Sequence, residues 1–415
     1  MCLCFLYYEG VAILMLNIRI IKFLKMFLLF IFTGVICGIV GAMFSKTISI
    51  VTSIRSNNSF LLYFLPIAGV VSVFLYNKLN IKGMSTNHVI KSTTDDNELS
   101  PLLAPAVFIS LSFSHLCGAS VGREGAALQL GGSISTYIST LFHLSDKGRK
   151  ILVYCGMAGL FSAVFGTPFA AFIFALEVVY IGHICFEAVI PTLITSITAY
   201  LIAILLKVHP ERFELTNVPE INFSIIWRVL IIAILGALLS MLFCYTLKYT
   251  EFIFKRLFKN DYFRIITSGI IIIFLTLIID TRDYNGAGVN IIEKIFNEND
   301  FKFEAFLLKI IFTAIAVGGG YRGGEIIPTL FIGATFGALL ASILGLSPAF
   351  GAALGMTALF CGVTNCPLAA AILSLEMFSG EGWLYIIIVS IISFLLSGRI
   401  SLYSAQKVTG FKDLF

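Results

Sequence analysis

Apolar positions along this chain fall in long continuous runs, and the breaks between runs are short and rich in glycine. Continuity argues for helices, because a membrane barrel strand would alternate apolar and polar positions. Helical spans are expected over residues 26–45, 60–76, 101–120, 185–206, 225–245, 265–279, 306–317 and 383–396, with a further apolar stretch up to residue 378. Residues 151–181 are apolar for longer than one untilted span requires, and Pro168 interrupts them, so two short or broken helices are expected there. Residues 91–98 read as a polar loop and residues 207–222 as a polar linker. Residues 248–260, where Lys248, Lys255, Arg256 and Lys259 alternate with aromatics, read as a cytoplasmic connecting helix.

Composition turns this pattern into a class. Hydrophobic residues make up 58% of the 415-residue chain and charged residues only 12%, and mean hydropathy is +0.98. A soluble domain carries about twice that share of charge, so the chain reads as an integral membrane protein with many helices. The net charge of +5 is spread over helix ends, which suits topology signals and not a nucleic-acid surface. Arg19, Lys22 and Lys25 read as cytoplasmic anchors of the first span, and the basic loop at residues 146–150 reads as cytoplasmic too. Residues 1–16 lack the basic leader and cleavage site of a signal peptide. The nine cysteines sit mostly inside apolar runs without metal-ligand spacing, so neither disulfides, metal nor a cofactor is expected.

The chain is also duplicated. Gly156-Met157-Ala158-Gly159-Leu160-Phe161 matches Gly355-Met356-Thr357-Ala358-Leu359-Phe360, and in the same register Pro168 matches Pro367 and Leu176-Glu177 matches Leu375-Glu376. Leu128-Gln129-Leu130-Gly131 matches Leu330-Phe331-Ile332-Gly333, and Gly83 and Asn87 match Gly286 and Asn290 more weakly. The offsets are all close to two hundred residues. Repeats with broken helices are typical of transporters whose site lies at the repeat interface near mid-membrane. The repeat halves are expected at residues 20–206 and 223–405.

One stretch concentrates the chemistry. Val121-Gly122-Arg123-Glu124-Gly125-Ala126 places a carboxylate between two apolar runs. A carboxylate at membrane depth is costly, and the glycines allow a new helix to open with Glu124 at its positive end, where anions are stabilised. Such a group can stand in for an anion when charged and leave when protonated. A buried Arg–Glu pair that only holds a turn is the structural alternative. Glu325, in Gly318-Gly319-Gly320-Tyr321-Arg322-Gly323-Gly324-Glu325, is its repeat partner, and both turns should approach the interface.

Gly122-Arg123-Glu124-Gly125, Gly324-Glu325-Ile326-Ile327-Pro328, Ser401-Leu402-Tyr403-Ser404-Ala405 and Gly83-Met84-Ser85-Thr86 together resemble the CLC family of chloride channels and anion/proton antiporters, over nearly the whole chain. The first matches the family's G-[KR]-E-G-P with Ala126 in place of Pro. The second matches G-x-F-x-P with Ile326 in place of Phe. The resemblance implies an all-α polytopic membrane protein of two inverted-topology repeats with broken helices. It also implies a homodimer in a lipid membrane, with one pore per subunit. By the same resemblance Glu124 is the gating glutamate, Tyr403 donates its hydroxyl to the anion, and backbone N–H groups at Gly125, Ile326 and Ile327 line the site. The chain ends within about twenty residues of its last span, so no cytoplasmic regulatory domain is expected.

Two departures narrow the resemblance. Met84 stands where the family's anion-coordinating serine does, and a thioether cannot donate a hydrogen bond. Glu325 adds an acid where the family usually has an apolar residue. Both resemble the fluoride/proton antiporter subgroup, as does Val178, which replaces the second of two glutamates of chloride/proton antiporters. The expected function is fluoride/proton exchange that exports fluoride; the alternative is a chloride/proton antiporter or passive chloride channel of the same fold. No enzyme is expected, since no catalytic constellation is evident. Glu325 is read either as a second proton-handling or gating carboxylate, or as a structural acid that pairs with Arg322 or caps a helix. Glu177 and Glu376 are read as structural, His115 as a packed histidine, and Arg123 as a residue that orients its loop.

Overall fold

The structure is a computed structural model that describes residues 2–95, 99–215, 218–409 and 412, with side chains from residue 24 onward. The expected anchors Arg19 and Lys22 therefore have side chains outside the described residues. The first set of helices comprises α1 (Cys2–Asn57), α2 (Leu65–Lys78), α3 (Thr86–Thr94), α4 (Leu103–Cys117), α5 (Glu124–Leu141), α6 (Asp146–Phe165), α7 (Pro168–Glu177) and α8 (Phe186–Leu205), with a 3-10 turn at Ser59–Phe64. The second comprises α9 (Phe223–Leu257), α10 (Asp261–Ile279), α11 (Val289–Glu298), α12 (Ala305–Gly319), α13 (Ile326–Ile343), α14 (Pro348–Thr364), α15 (Pro367–Met377) and α16 (Trp383–Leu396). Two short strands, β1 (Tyr180–Ile181) and β2 (Lys407–Val408), pair in parallel.

The packings between α-helices of the first set have counterparts in the second. α5 packs on α6 as α13 packs on α14, α1 on α6 as α9 on α14, and α7 on α8 as α15 on α16. Elements that match each other also meet directly: α2 with α10, α7 with α15, and α5 with α13. This is the pattern a pseudo-two-fold axis produces. The residues that revealed the repeat are the ones that let the helices touch. A Cβ on Gly131 would fall 1.9 Å from the Gly156 carbonyl oxygen, and one on Gly333 would fall 2.5 Å from that of Gly355. Small residues at matched positions allow such backbone contact inside a membrane, where packing replaces the hydrophobic effect between helices.

The repeats are inverted. The apolar span of α1 begins beside Lys25, at Leu24, whereas α9 ends at its basic turn, Lys255 and Arg256. That basic side also holds Lys78 and Lys82 at the end of α2 and the 146–150 loop. Seven of the described helical segments are long and apolar enough to cross a membrane, and six shorter apolar helices have 10–17 residues. At 1.5 Å per residue the short ones reach roughly 15–25 Å, less than the ~30 Å core, so their ends lie at depth. The expected break at Pro168 is present, between α6 and α7.

Three expectations are corrected. The first span does not end near residue 45: α1 continues to Asn57, and no Gly or Pro follows Gly41 to stop it. Residues 248–257 are the last turns of α9 and not a separate connecting helix, because nothing after Gly236 breaks the backbone and the terminal cations suit the helix C-terminus. Residues 91–94, expected in a loop, belong to α3. Its Val89, Ile90, Ser92 and Thr93 are buried, so packing overrides a composition that is poor in helix formers.

Candidate functional site

Four chain segments converge where broken helices begin. Gly122 and Gly324 form an antiparallel bridge, each N–H donating to the other's carbonyl, at 2.6 and 2.7 Å. The turns before α5 and α13 are thus hydrogen-bonded across the repeat axis, as their repeat relation predicts. Only glycine fits at position 324, where a Cβ would sit 2.3 Å from the Gly125 nitrogen; one on Gly122 would displace the Glu124 carboxylate, 2.5 Å away. The third segment, residues 83–86, leads into α3. The fourth, residues 401–403, follows α16.

Glu124 is the first residue of α5 and is fully buried. Neither carboxylate oxygen has a hydrogen-bond partner among the described residues. Its own backbone amide and that of Ile327 face it, and Arg123 Nε stands 3.5 Å from Oε1. The helix field at this position favours an anion, and the first amides of α5 and α13 have no acceptor within their own helices. Tyr403 is buried, and its hydroxyl likewise has no partner among the described residues. Its backbone N–H donates to Ser401 Oγ at 3.1 Å, and its ring lies 6.4 Å from that of Phe174. The hydroxyl lies within electrostatic reach of both Glu124 and Glu325.

Glu325 holds the N-cap position of α13, but its side chain makes no cap hydrogen bond, and among the described residues no ion pair joins it to Arg322. Arg322 instead donates to the Met84 carbonyl at 3.4 Å and lies over the Tyr76 ring, 4.4 Å from its centre. The Glu325 carboxylate lies beside Gly125, 3.6 Å from where a Cβ there would be. It also lines a cavity of about 620 Å³ together with Tyr403, Thr86 and Gln129. The cavity wall carries Lys82, Lys248, Lys255, Lys259, Arg264 and Arg322 against the carboxylates Glu251, Asp261 and Glu325. Three of these cations are paired, Lys82 and Arg264 with Asp261 at 2.8 Å and Lys255 with Glu251 at 2.5 Å. The surplus gathers anions on the basic side of the membrane.

Met84 precedes the N-cap Ser85 of α3, half-buried against the main core, and does not line that cavity. Gly125, Ile326 and Ile327 all lie in the first turns of α5 and α13 and are buried. The sequence reading missed the polar residues that bind these starts together. Thr86 Oγ1 donates to the Gly125 carbonyl at 3.3 Å, and Gln129 Nε2 donates to Thr86 Oγ1 at 3.1 Å. Asn87 Oδ1 accepts from the Ala405 N–H at 3.0 Å, which ties the Tyr403 segment to α3. Gln129 had a legible signal, an amide one turn after Gly125 inside an apolar helix. Glu211, in the linker between the two sets, also went unread; it pairs with Arg123. The seven cysteines from Cys37 onward are free, and all but Cys185 are buried.

Comparison with known proteins bears on the family and the fold. The voltage gated chloride channel family matches residues 68–398. A "Chloride/fluoride channel protein" of Pseudomonas syringae pv. tomato is 30% identical over 383 residues, covering 90% of this chain and 84% of that protein. An "H(+)/Cl(-) exchange transporter ClcA" of Vibrio campbellii is 27% identical over 277 residues, 63% of this chain and 58% of that one. Among solved structures, a CLC-type fluoride/proton antiporter superposes with a TM-score of 0.90 at 29% identity, covering 94% of this chain and 99% of the other. A slow cyanobacterial Cl-/H+ antiporter shares the fold with a TM-score of 0.77 at 21% identity, covering 90% and 94%.

Proposed function

This chain belongs to the voltage gated chloride channel family, and from that we propose that it exchanges protons for a small inorganic anion across the membrane, the anion being fluoride. The observation that carries the exchange is the buried Glu124 carboxylate at the start of α5, without a hydrogen-bond partner among the described residues, with the Tyr403 hydroxyl, equally without one, within its electrostatic reach. A carboxylate that sits at a helix N-terminus, with Arg123 Nε 3.5 Å away and no hydrogen bond to either oxygen among the described residues, occupies the place an anion would take. Protonation removes its charge and its claim on those amides, so it leaves, and an anion entering from the cavity can take its place. Charge on the anion and charge on Glu124 thus exclude each other, which couples the two flows. Tyr403 is the hydroxyl donor along this path. Glu325, at the cavity wall, hands protons or anions between the cavity and Glu124. With protons running inward, the anion is driven out.

Fluoride is supported by the names of the Pseudomonas relative and of the 29% identical antiporter, both of which include it. The local chemistry is compatible. Fluoride is small and strongly hydrated, so a site that takes it needs a few well-aimed donors and dry walls. Backbone amides and Tyr403 are the donors; the Met84 thioether, packed against the core and off the cavity wall, offers none. This reading takes residues 20–206 and 223–405 as the two halves and the assembly as a homodimer.

The test is efflux from proteoliposomes read with fluoride and chloride electrodes and an internal pH dye. Fluoride leaving faster than chloride, with protons moving the other way, supports the reading. Chloride moving as fast as fluoride, still with protons, makes the chain a chloride/proton antiporter; anion movement without protons makes it a channel.

A further inference from the structure

We propose that Glu211 is an external positioning residue that competes with Glu124 for the guanidinium of Arg123 and so sets how readily Glu124 takes up a proton. The proposal rests on Glu124 as the proton-accepting carboxylate.

Arg123 spends its fork away from Glu124. Its Nη2 pairs with the Glu211 carboxylate and its Nη1 donates to Ser45 Oγ on α1 at 3.2 Å, while only Nε faces Glu124, at 3.5 Å, beyond hydrogen-bonding range. Two carboxylates therefore flank one cation. Glu124 is sealed, with no exposed side-chain surface; Glu211 and Arg123 are about 16% and 14% exposed. Glu211 is on the side opposite the basic loops, because its N–H donates to the carbonyl of Phe165, at the far end of the helix that starts at the 146–150 loop.

Residues 210–213, which carry Glu211, are tied to the helices on both sides. The Glu211 N–H bond to Phe165 is 3.0 Å, Pro210 fills the space beside Gly166, and the Phe213 N–H donates to the Met377 carbonyl at 2.9 Å. A carboxylate on an otherwise polar connection is thus held rigidly against Arg123, which a loose linker would not achieve.

The direction of the effect follows from charge. The groups facing Glu124 are Arg123 on its own turn, Glu211 from the linker, and Tyr403 from the segment after α16, with Glu325 beyond Gly125. Arg123 also faces His115 on α4, and Glu211 faces Glu293 on α11. Removing the charge of Glu211 does two things to Glu124: it frees Arg123 to serve one carboxylate in place of two, and it removes a neighbouring negative charge. Both favour ionised Glu124, so protonation then needs a more acid medium.

The experiment measures initial fluoride efflux and proton movement in proteoliposomes at equal pH on both sides, across about pH 5–8, for wild type, Glu211→Gln and Glu211→Asp. The midpoint of Glu211→Gln should move to lower pH, by on the order of one unit, while Glu211→Asp, which keeps the charge, stays near wild type. A midpoint that does not move, or moves to higher pH, overturns the proposal. So does an equal loss of rate at every pH, the mark of a merely structural role. If wild type moves anions without protons, the antiporter reading fails, but the pH dependence of anion flux still reports the charge on Glu124 and must shift in the same way. A wild-type flux that does not depend on pH overturns the Glu211 proposal as well.

Discussion

Two pairs of repeat-related glutamates lie in this molecule, and they use their oxygens in opposite ways. Glu177 and Glu376 end α7 and α15 and cap each other's helices. Glu177 accepts from the Leu368 and Ala369 N–H groups at 3.2 and 2.8 Å, and Glu376 from those of Phe169 and Ala170 at 3.2 and 2.7 Å. The second pair, Glu124 and Glu325, begins helices and caps nothing. Glu124 has no hydrogen-bond partner for either oxygen among the described residues, and Glu325 makes no cap bond. A carboxylate bound to two backbone amides has its charge fully committed and serves the fold. One that is buried without such partners retains its desolvation cost, and proton uptake relieves it. The two roles thus differ in how the oxygens are spent, though all four are glutamates at helix ends of one duplicated chain.

The comparison predicts a descending series of effects. Glu124→Gln should lower fluoride-driven proton movement by about two orders of magnitude or more, as expected for loss of the proton-carrying group. Glu325→Gln should slow coupled transport by about tenfold, read from the same flux assay, because it removes one charged group beside the path. Glu177→Gln should lower stability by about 0.5–2 kcal/mol, the usual value of a helix cap, seen as a reduced unfolding temperature in detergent with an unchanged ratio of protons to fluoride. Tyr403→Phe should weaken apparent fluoride affinity by about fivefold, the worth of one hydrogen bond of ~1 kcal/mol.

The smallest effect belongs to a carboxylate spent in a third way, on an exposed cation. Lys407 beside Asp95 holds the Asp95 carboxyl below its usual range, through a hydrogen bond at 2.9 Å. The sign is that of a lowered acid: the tie is present above the ordinary carboxylate range and is lost as pH falls through the lowered value. Because the pair is solvated, Lys407→Ala should leave the unfolding temperature unchanged within error.

Much of this arrangement is legible in the residue pattern. The matched glycines located the repeat, and the glycine-flanked Glu124 and Glu325 turns located the place where its halves meet. Glu177 and Glu376 were readable as structural, but not their partners, which lie about 190 and 206 positions away along the chain. Glu211 was invisible for a related reason. A lone acid in a polar linker looks solvated until the fold brings Arg123 to it. The ends of α1 and α9 were misread because apolar density falls off there while the backbone, free of Gly and Pro, continues. Local pattern reports where the chain can break; long-range partners decide what each polar group is for.

The most direct test of the central claim sets the two kinds of glutamate side by side. Proton movement driven by a fluoride gradient is measured in proteoliposomes of Glu124→Gln and Glu177→Gln, each normalised to folded protein and to fluoride flux. The account predicts no coupled proton movement for Glu124→Gln and the wild-type ratio for Glu177→Gln. Retained coupling in Glu124→Gln, or its loss in a folded Glu177→Gln, would contradict it.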